Sequence, residues 1–274
     1  MTAAYRASIW LDGPRSCAAR AQLFDGSGVN PIAMLSAVYF SGMLKSAADA
    51  ARFQRASDQS LLIYFGHQIA LDAHEHVRKL LRLLDAEPIA GVRNLHPAYC
   101  SVLIKFDALK WRHEELEETL KQYLARLEDV RLPEPRQVEI PVCYGGEHGP
   151  DLMDVGAMHG MTPEQVIELH SSTIYLVYFL GFVPGFAYLG ELAEALVTPR
   201  LPTPRRRVLP GSVGIAGSQT GVYPFATPGG WRLLGRTPVP MFRPDQDGLS
   251  LLSIGDRVRF TPISRKQFAT LERP

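Results

Sequence analysis

The residues best suited to chemistry fall between His170 and Trp231. In Tyr178-Phe179-Leu180-Gly181-Phe182-Val183-Pro184-Gly185-Phe186-Ala187-Tyr188-Leu189-Gly190, aromatic side chains alternate with glycine and proline. Glycine lets backbone approach a neighbour and proline stiffens the loop, so Phe182 and Phe186 are candidate walls for a flat organic ligand. A tightly packed aromatic core loop has the same composition. Downstream, Arg205, Arg206 and Arg207 follow Pro199, Pro202 and Pro204. On an extended chain Arg205 and Arg207 face one side and Arg206 the other. The first two then form a cationic pair matched to carboxylate or phosphate, unless they are ordinary surface arginines.

Gln219 and Thr220 sit between Gly217 and Gly221, in a segment that closes on Tyr223-Pro224. A glutamine amide both donates and accepts, which suits the edge of an amide or lactam. Thr220 and Tyr223 join it as candidate ligand contacts. Gly229-Gly230 can turn backbone N–H groups toward an anion. A glycine-shaped barrel corner is the alternative for the whole stretch. His170 ends a helical pattern, where the terminal carbonyls favour the imidazolium. It is a candidate acid, base or phosphate partner, or else a satisfied structural histidine.

Other signatures are missing. The sequence has no G-x-x-x-x-G-K-[ST], no H-E-x-x-H and no G-x-S-x-G. His74 and His76 are two apart on a predicted helix and point to different faces. They read as solvated histidines, and no metal site is expected. The formal net charge is +1, which gives no electrostatic case for nucleic acid or an anionic membrane. Three widely spaced cysteines, Cys17, Cys100 and Cys143, form no disulfide framework and point to a reducing compartment. With no stretch long enough to span a bilayer, the expected location is cytoplasmic.

The elements that must position these residues fall into two groups. Leu61 to Phe65 reads as a strand, and the apolar spacing of Ile69, Ala73, Val77, Leu80 and Leu84 predicts an amphipathic helix. Ile89 to Leu95 and Ala98 to Phe106 read as strands broken by His96-Pro97, and a second helix runs from His113 to Leu127. One more strand at Arg52 to Arg55 would complete a ferredoxin-like α+β domain over 51–127. Residues 128–137 read as a linker. From 138 to 262, short β-prone runs at Ile174–Leu180, Gly211–Ala216, Trp231–Arg236, Leu249–Leu252 and Arg257–Phe260 predict a mainly-β barrel. Within it, Thr162 and Pro163 look like a helix start. Residues 1–50 read as an extension of uncertain order, with a helix over 31–44 as the alternative, and 263–274 as a tail.

Several segments together resemble the KipI/PxpB family, also called allophanate hydrolase subunit 1. They are Glu168 to Ser172, Phe179 to Phe182 with Pro184-Gly185-Phe186 and Tyr188-Leu189-Gly190, and Thr198-Pro199-Arg200. Gly211 to Ile215, Gln219 to Pro224 and Pro228 to Trp231 continue the set, and Ser60-Leu61-Leu62 and Pro97-Ala98-Tyr99 match it nearer the start. The likeness runs from about Ser57 to Pro262. Residues 1–50 lie outside it, and Leu209-Pro210-Gly211 departs from the family's usual Pro-Ala-Gly. The resemblance implies a ferredoxin-like domain followed by a cyclophilin-like barrel. It also implies a subunit of an ATP-dependent 5-oxoprolinase, acting with KipA/PxpC-type and LamB/YcsF (PxpA)-type partners on 5-oxoproline. ATP and magnesium would be held here or by the partner. On that reading Arg205 and Arg207 clamp phosphate or carboxylate, and Gln219 and Thr220 hold the lactam. The same resemblance leaves open an inhibitor of a sensor histidine kinase, or a carboxyltransferase component of a urea or amide carboxylase.

Overall fold

Apolar residues at helical and alternating spacing build the first part of the molecule. In this computed structural model residues 51–245 and 249–272 are described; the extension expected over 1–50 lies outside them. Strand β1 (Arg52–Ser57) turns into β2 (Ser60–Tyr64), followed by helix α1 (Leu71–Ala86), β3 (Val92–Pro97), β4 (Ser101–Phe106) and α2 (His113–Leu124). Ala73, Val77, Leu80 and Leu84 on α1 and Leu116, Leu120 and Leu124 on α2 are buried against Leu61, Ile63, Val102, Ile104 and Phe106 of the sheet. On β4 the buried residues alternate with Leu103 and Lys105, as one covered face requires.

The ferredoxin-like expectation is corrected here. The sheet is antiparallel in the order β1-β2-β4-β3, and the path is strand, strand, helix, strand, strand, helix. The strand at Arg52–Ser57 does form. The connection from Ser57 to Ser60 is too short for anything but a hairpin, so the unit opens on two adjacent strands instead of strand-helix-strand. His96-Pro97 does not break the chain either. It completes β3, an edge strand, where a missing N–H costs no ladder bond, and the turn falls on Ala98-Tyr99-Cys100.

The second part is a closed barrel of seven strands. It comprises β5 (Gln137–Tyr144), β6 (Ile174–Leu180), β7 (Ala187–Gly190), β9 (Ser212–Ala216), β10 (Gln219–Val222), β12 (Arg232–Arg236) and β13 (Arg257–Pro262). A two-stranded ribbon of β8 (Arg205–Val208) and β11 (Thr227–Gly229) stands beside it. The barrel order is β10-β7-β6-β13-β5-β12-β9, closed by β9 against β10. Its first strand, β5, lies parallel to its last, β13, and every other pairing is antiparallel. Ile140, Val142, Val177, Leu189, Val213, Ile215, Leu234, Val258 and Phe260 fill the interior.

Helices α3 (Leu152–His159) and α4 (Pro163–Ser172) connect β5 to β6, and α5 (Arg265–Leu271) follows β13. Thr162 caps α4 through Gln165 N–H, while Gln165 caps Thr162 in return. Leu249–Leu252 forms only an isolated bridge, Ser250 to Phe242, and no strand.

Sheet and barrel meet along a seam. His74 of α1 hydrogen-bonds the carbonyl of Tyr178 on β6 at 2.7 Å, with the two rings edge to face at 4.9 Å. His74 is therefore buried and not a solvated histidine as its sequence position suggested. Ile254, from the barrel side, packs into the core of the sheet unit. A cavity of about 590 Å³ lies under α1, lined in part by Leu84, Ile89, Leu95, Leu132, Arg78 and Arg82. None of the residues singled out for chemistry lines it.

Candidate functional site

The turn between β3 and β4 carries Tyr99 across the seam into the aromatic segment of the barrel. Its ring lies 5.3 Å from Tyr178, 4.8 Å from Phe179 and 6.3 Å from Tyr188. Phe179 stacks on Tyr188 at 4.5 Å, and Tyr188 continues to Phe186 at 5.0 Å and Trp231 at 6.0 Å. Phe186 also meets Tyr223 at 5.3 Å. The result is one continuous aromatic wall built from both parts of the molecule. The Gln219 amide donates to the phenol oxygen of Tyr99, which places the amide on this wall. Burial, above all, raises the phenol pKa values of Tyr99, Tyr188 and Tyr223, so these groups are protonated hydrogen-bond donors at neutral pH.

The residues singled out from sequence divide into those on the wall and those elsewhere. Phe186, Tyr223 and Gln219 belong to it. Phe182 stands at its outer edge, 5.6 Å from Phe186, 60% exposed and held at φ +69°. A phenylalanine in the left-handed region costs about 1 kcal/mol, which the surrounding loop sustains. Thr220 is fully buried and faces the barrel interior with His170. Its hydroxyl donates to the Gly214 carbonyl at 3.1 Å, so it accepts from His170 Nε2 at 2.9 Å. That fixes the tautomer: Nδ1 of His170 accepts from the Tyr144 hydroxyl at 2.8 Å. Stacked on Phe260 at 4.7 Å and fully buried, the ring has its pKa lowered to about 3 by desolvation. His170 is a neutral structural relay inside the barrel.

The arginines separate. Arg205 Nη2 donates to Asp151 at 2.6 Å, and Asp151 also accepts from the Leu233 N–H at 2.7 Å. A 3.4 Å bond to the Trp231 carbonyl completes the setting. Arg207 is exposed on the same strand as Arg206, so the two guanidinium groups of the expected pair do not share an environment. Gly229 leaves room for the Tyr223 hydroxyl, which a Cβ there would meet at 2.5 Å. That hydroxyl accepts the Trp231 N–H. The Gly230 carbonyl accepts from Leu201 N–H at 2.8 Å. The double-glycine turn therefore serves Tyr223 and the 198–204 loop from within.

Sequence reasoning passed over Tyr99, Tyr188 and Arg200. Tyr99 and Tyr188 had a signal, since both lie in segments that carry the family resemblance, but nothing in the sequence brought two such distant positions together. Arg200 is exposed, and its charge acts on the phenols of Tyr99, Tyr188 and Tyr223. The prolines around it directed attention to the arginine triplet instead.

The family described as carboxyltransferase domain, subdomain C and D, matches residues 51–252. The B subunit of 5-oxoprolinase from Bacillus subtilis (strain 168) is 38% identical over 227 residues, covering 79% of this chain and 95% of that protein. The crystal structure of TTHA0988 superposes with a TM-score of 0.67 at 37% identity. The match covers 75% of this chain and 40% of that longer one. The Kluyveromyces lactis urea carboxylase matches with a TM-score of 0.67 at 19% identity over 82% of this chain and 23% of that one. At that identity the likeness concerns the fold, which is of the carboxyltransferase type and replaces the ferredoxin-like and cyclophilin-like pairing expected from sequence.

Proposed function

The chain belongs to the carboxyltransferase subdomain C and D family, together with the B subunits of 5-oxoprolinase, and from that premise we propose that it serves as such a subunit. In this reading it helps convert 5-oxo-L-proline to L-glutamate at the expense of ATP, in a complex with KipA/PxpC-type and LamB/YcsF (PxpA)-type partners. The observation that carries the reading is the similarity to the Bacillus subtilis protein along 95% of that protein's length. The wall at the seam gives it a chemical content.

A five-membered lactam is a resonance-stabilised amide and a poor electrophile. Transfer of a phosphoryl group to its oxygen makes the carbonyl carbon open to water. That step demands positioning and charge stabilisation more than a protein nucleophile. Phenol donors and a glutamine amide beside aromatic faces suit the flat lactam ring and its N–H and C=O edge. The same donors do not suit a divalent cation, which prefers carboxylates and water. The proposal therefore assigns the lactam side to this chain and Mg-ATP to the partner side. Gln219 and Tyr99 hold the lactam edge, Phe186 and Tyr223 support the wall, and His170, Thr220 and Arg205 fix the barrel behind it.

The test is co-expression with the two partners and an assay of 5-oxoproline-dependent ATP hydrolysis, leaving out one subunit at a time. Activity should require this chain. Undiminished turnover in its absence, or ATP hydrolysis indifferent to 5-oxoproline, sinks the reading.

A further inference from the structure

We infer that Arg200 is the specificity-determining residue of the seam, binding the carboxylate of a small anionic lactam whose ring lies on the aromatic wall. The inference rests on the lactam reading above and adds to it the group that recognises the substrate's charge.

The geometry that supports it begins with the backbone. Arg232 Nε donates to the Pro199 carbonyl at 3.1 Å, and Leu201 N–H donates to the Gly230 carbonyl at 2.8 Å. Thr198 is tied to Gly217 by bonds in both directions, at 2.7 and 3.4 Å. The residues on both sides of Arg200 are thus anchored to the barrel, and Pro199 and Pro202 stiffen the segment further. With the backbone already fixed, only the side-chain freedom of the guanidinium remains to be lost on binding.

The other arginines around the wall are committed elsewhere or set apart from it. Arg205 is committed to Asp151. Arg232 is 7% exposed and committed to Pro199. Arg207 is exposed on the ribbon, outside the barrel strands, and the half-buried Arg257 acts on Tyr178 and His74 at the inner side of the seam. Arg200 forms no ion pair among the described residues and is open to solvent; the bonds of its neighbours to Gly230 and Arg232 hold it beside Trp231 of the wall, and its charge acts on three phenols contributed by the β3–β4 turn, β7 and the loop after β10. With Gln219 on Tyr99, the wall offers amide-reading donors and an exposed guanidinium together. A bidentate guanidinium–carboxylate contact beside apolar rings is a strong and selective interaction.

The experiment uses the assembled complex and compares two lactams, 5-oxoproline and the carboxylate-free 2-pyrrolidinone. With Arg200→Ala, KM for 5-oxoproline should rise about tenfold or more, with kcat changed far less. Turnover or weak inhibition by 2-pyrrolidinone should stay as in the wild type, and Arg200→Lys should recover part of the loss. Arg207→Ala, outside the wall, should leave both lactams unaffected, and matching melting curves confirm that the variants fold. An unchanged KM in Arg200→Ala overturns the assignment. An equal loss for both lactams also overturns it, because the residue would then be structural. A wild-type complex without 5-oxoproline-dependent ATP hydrolysis would overturn the functional reading itself.

Discussion

Asp151 serves two donors at once: the Arg205 guanidinium at 2.6 Å and the Leu233 N–H at 2.7 Å. Its carboxylate is 6% exposed and the side chain of its partner arginine 29%. Truncation by Asp151→Ala leaves a half-buried cation and a buried amide without an acceptor. With allowance for the water that still reaches Arg205, the expected loss is about 2–4 kcal/mol. Arg207→Ala, two residues along the strand, should stay within about 0.5 kcal/mol. Urea denaturation of both variants checks the contrast, and equal stability would show that the Asp151 link is dispensable. The sequence could not separate these two arginines. Alternation put them on one side, but the ribbon's register pairs Gly229 with Arg205 and Thr227 with Val208 across an irregularity, and only Arg205 is drawn in, to Asp151. Gln219 was legible because its flanking glycines leave it free to reach outward. Its partner Tyr99 was not, since the bond joins parts of the chain far apart in sequence.

At the scale of elements, helix α1 is attached to strand β6 by the His74 ring. Burial, foremost, lowers the His74 pKa to about 4, with help from the positive charges of Arg78 and Arg257, while the bond to Tyr178 opposes the shift. Because the folded pKa lies below that of the unfolded chain, near 6.5, acid favours the unfolded state. The stabilisation is fully present above pH 6.5 and is lost as the pH falls toward 4. His170 shifts in the same direction, so the difference between wild type and His74→Gln isolates the latch. Between pH 7 and 4 the wild type should lose about 2 kcal/mol more than the variant, read from denaturant titrations at each pH. Parallel profiles would remove His74 as a titrating contact. The helices of this region were legible because their apolar spacing is regular. Strands β7, β8, β10 and β11 were not, for they are three or four residues long and rich in glycine, proline or arginine. Such segments become strands only when neighbours supply the ladder.

For the molecule as a whole, the described residues belong to one compact unit, and the seam is the reason. His74, Tyr99 and Ile254 each cross it. Sheet and barrel should therefore unfold in a single transition, with far-UV circular dichroism and tryptophan fluorescence giving the same midpoint. Ile254→Asp places a charge in the apolar core of the sheet unit and should pull the two midpoints apart. Separate transitions in the wild type would show that the parts are only tethered. An arrangement of two parts joined by a linker over 128–137 was expected from the sequence. Their mutual packing was not, since it depends on a histidine that looked solvated and a turn displaced past Pro97.

The pairing of β5 with β13 sets Gln137 beside Arg257. While a ribosome is still making the segment between them, the cylinder has a gap where its last stave belongs, and β5 and β6 present raw edges. The sheet unit covers most of its core with its own helices, Ile254 arriving later from the barrel side, so it can settle first and hold Tyr99 ready as a template. Closure then comes late, through a contact distant in sequence, which makes the slowest event in maturation the one that completes the wall on which a ligand would rest.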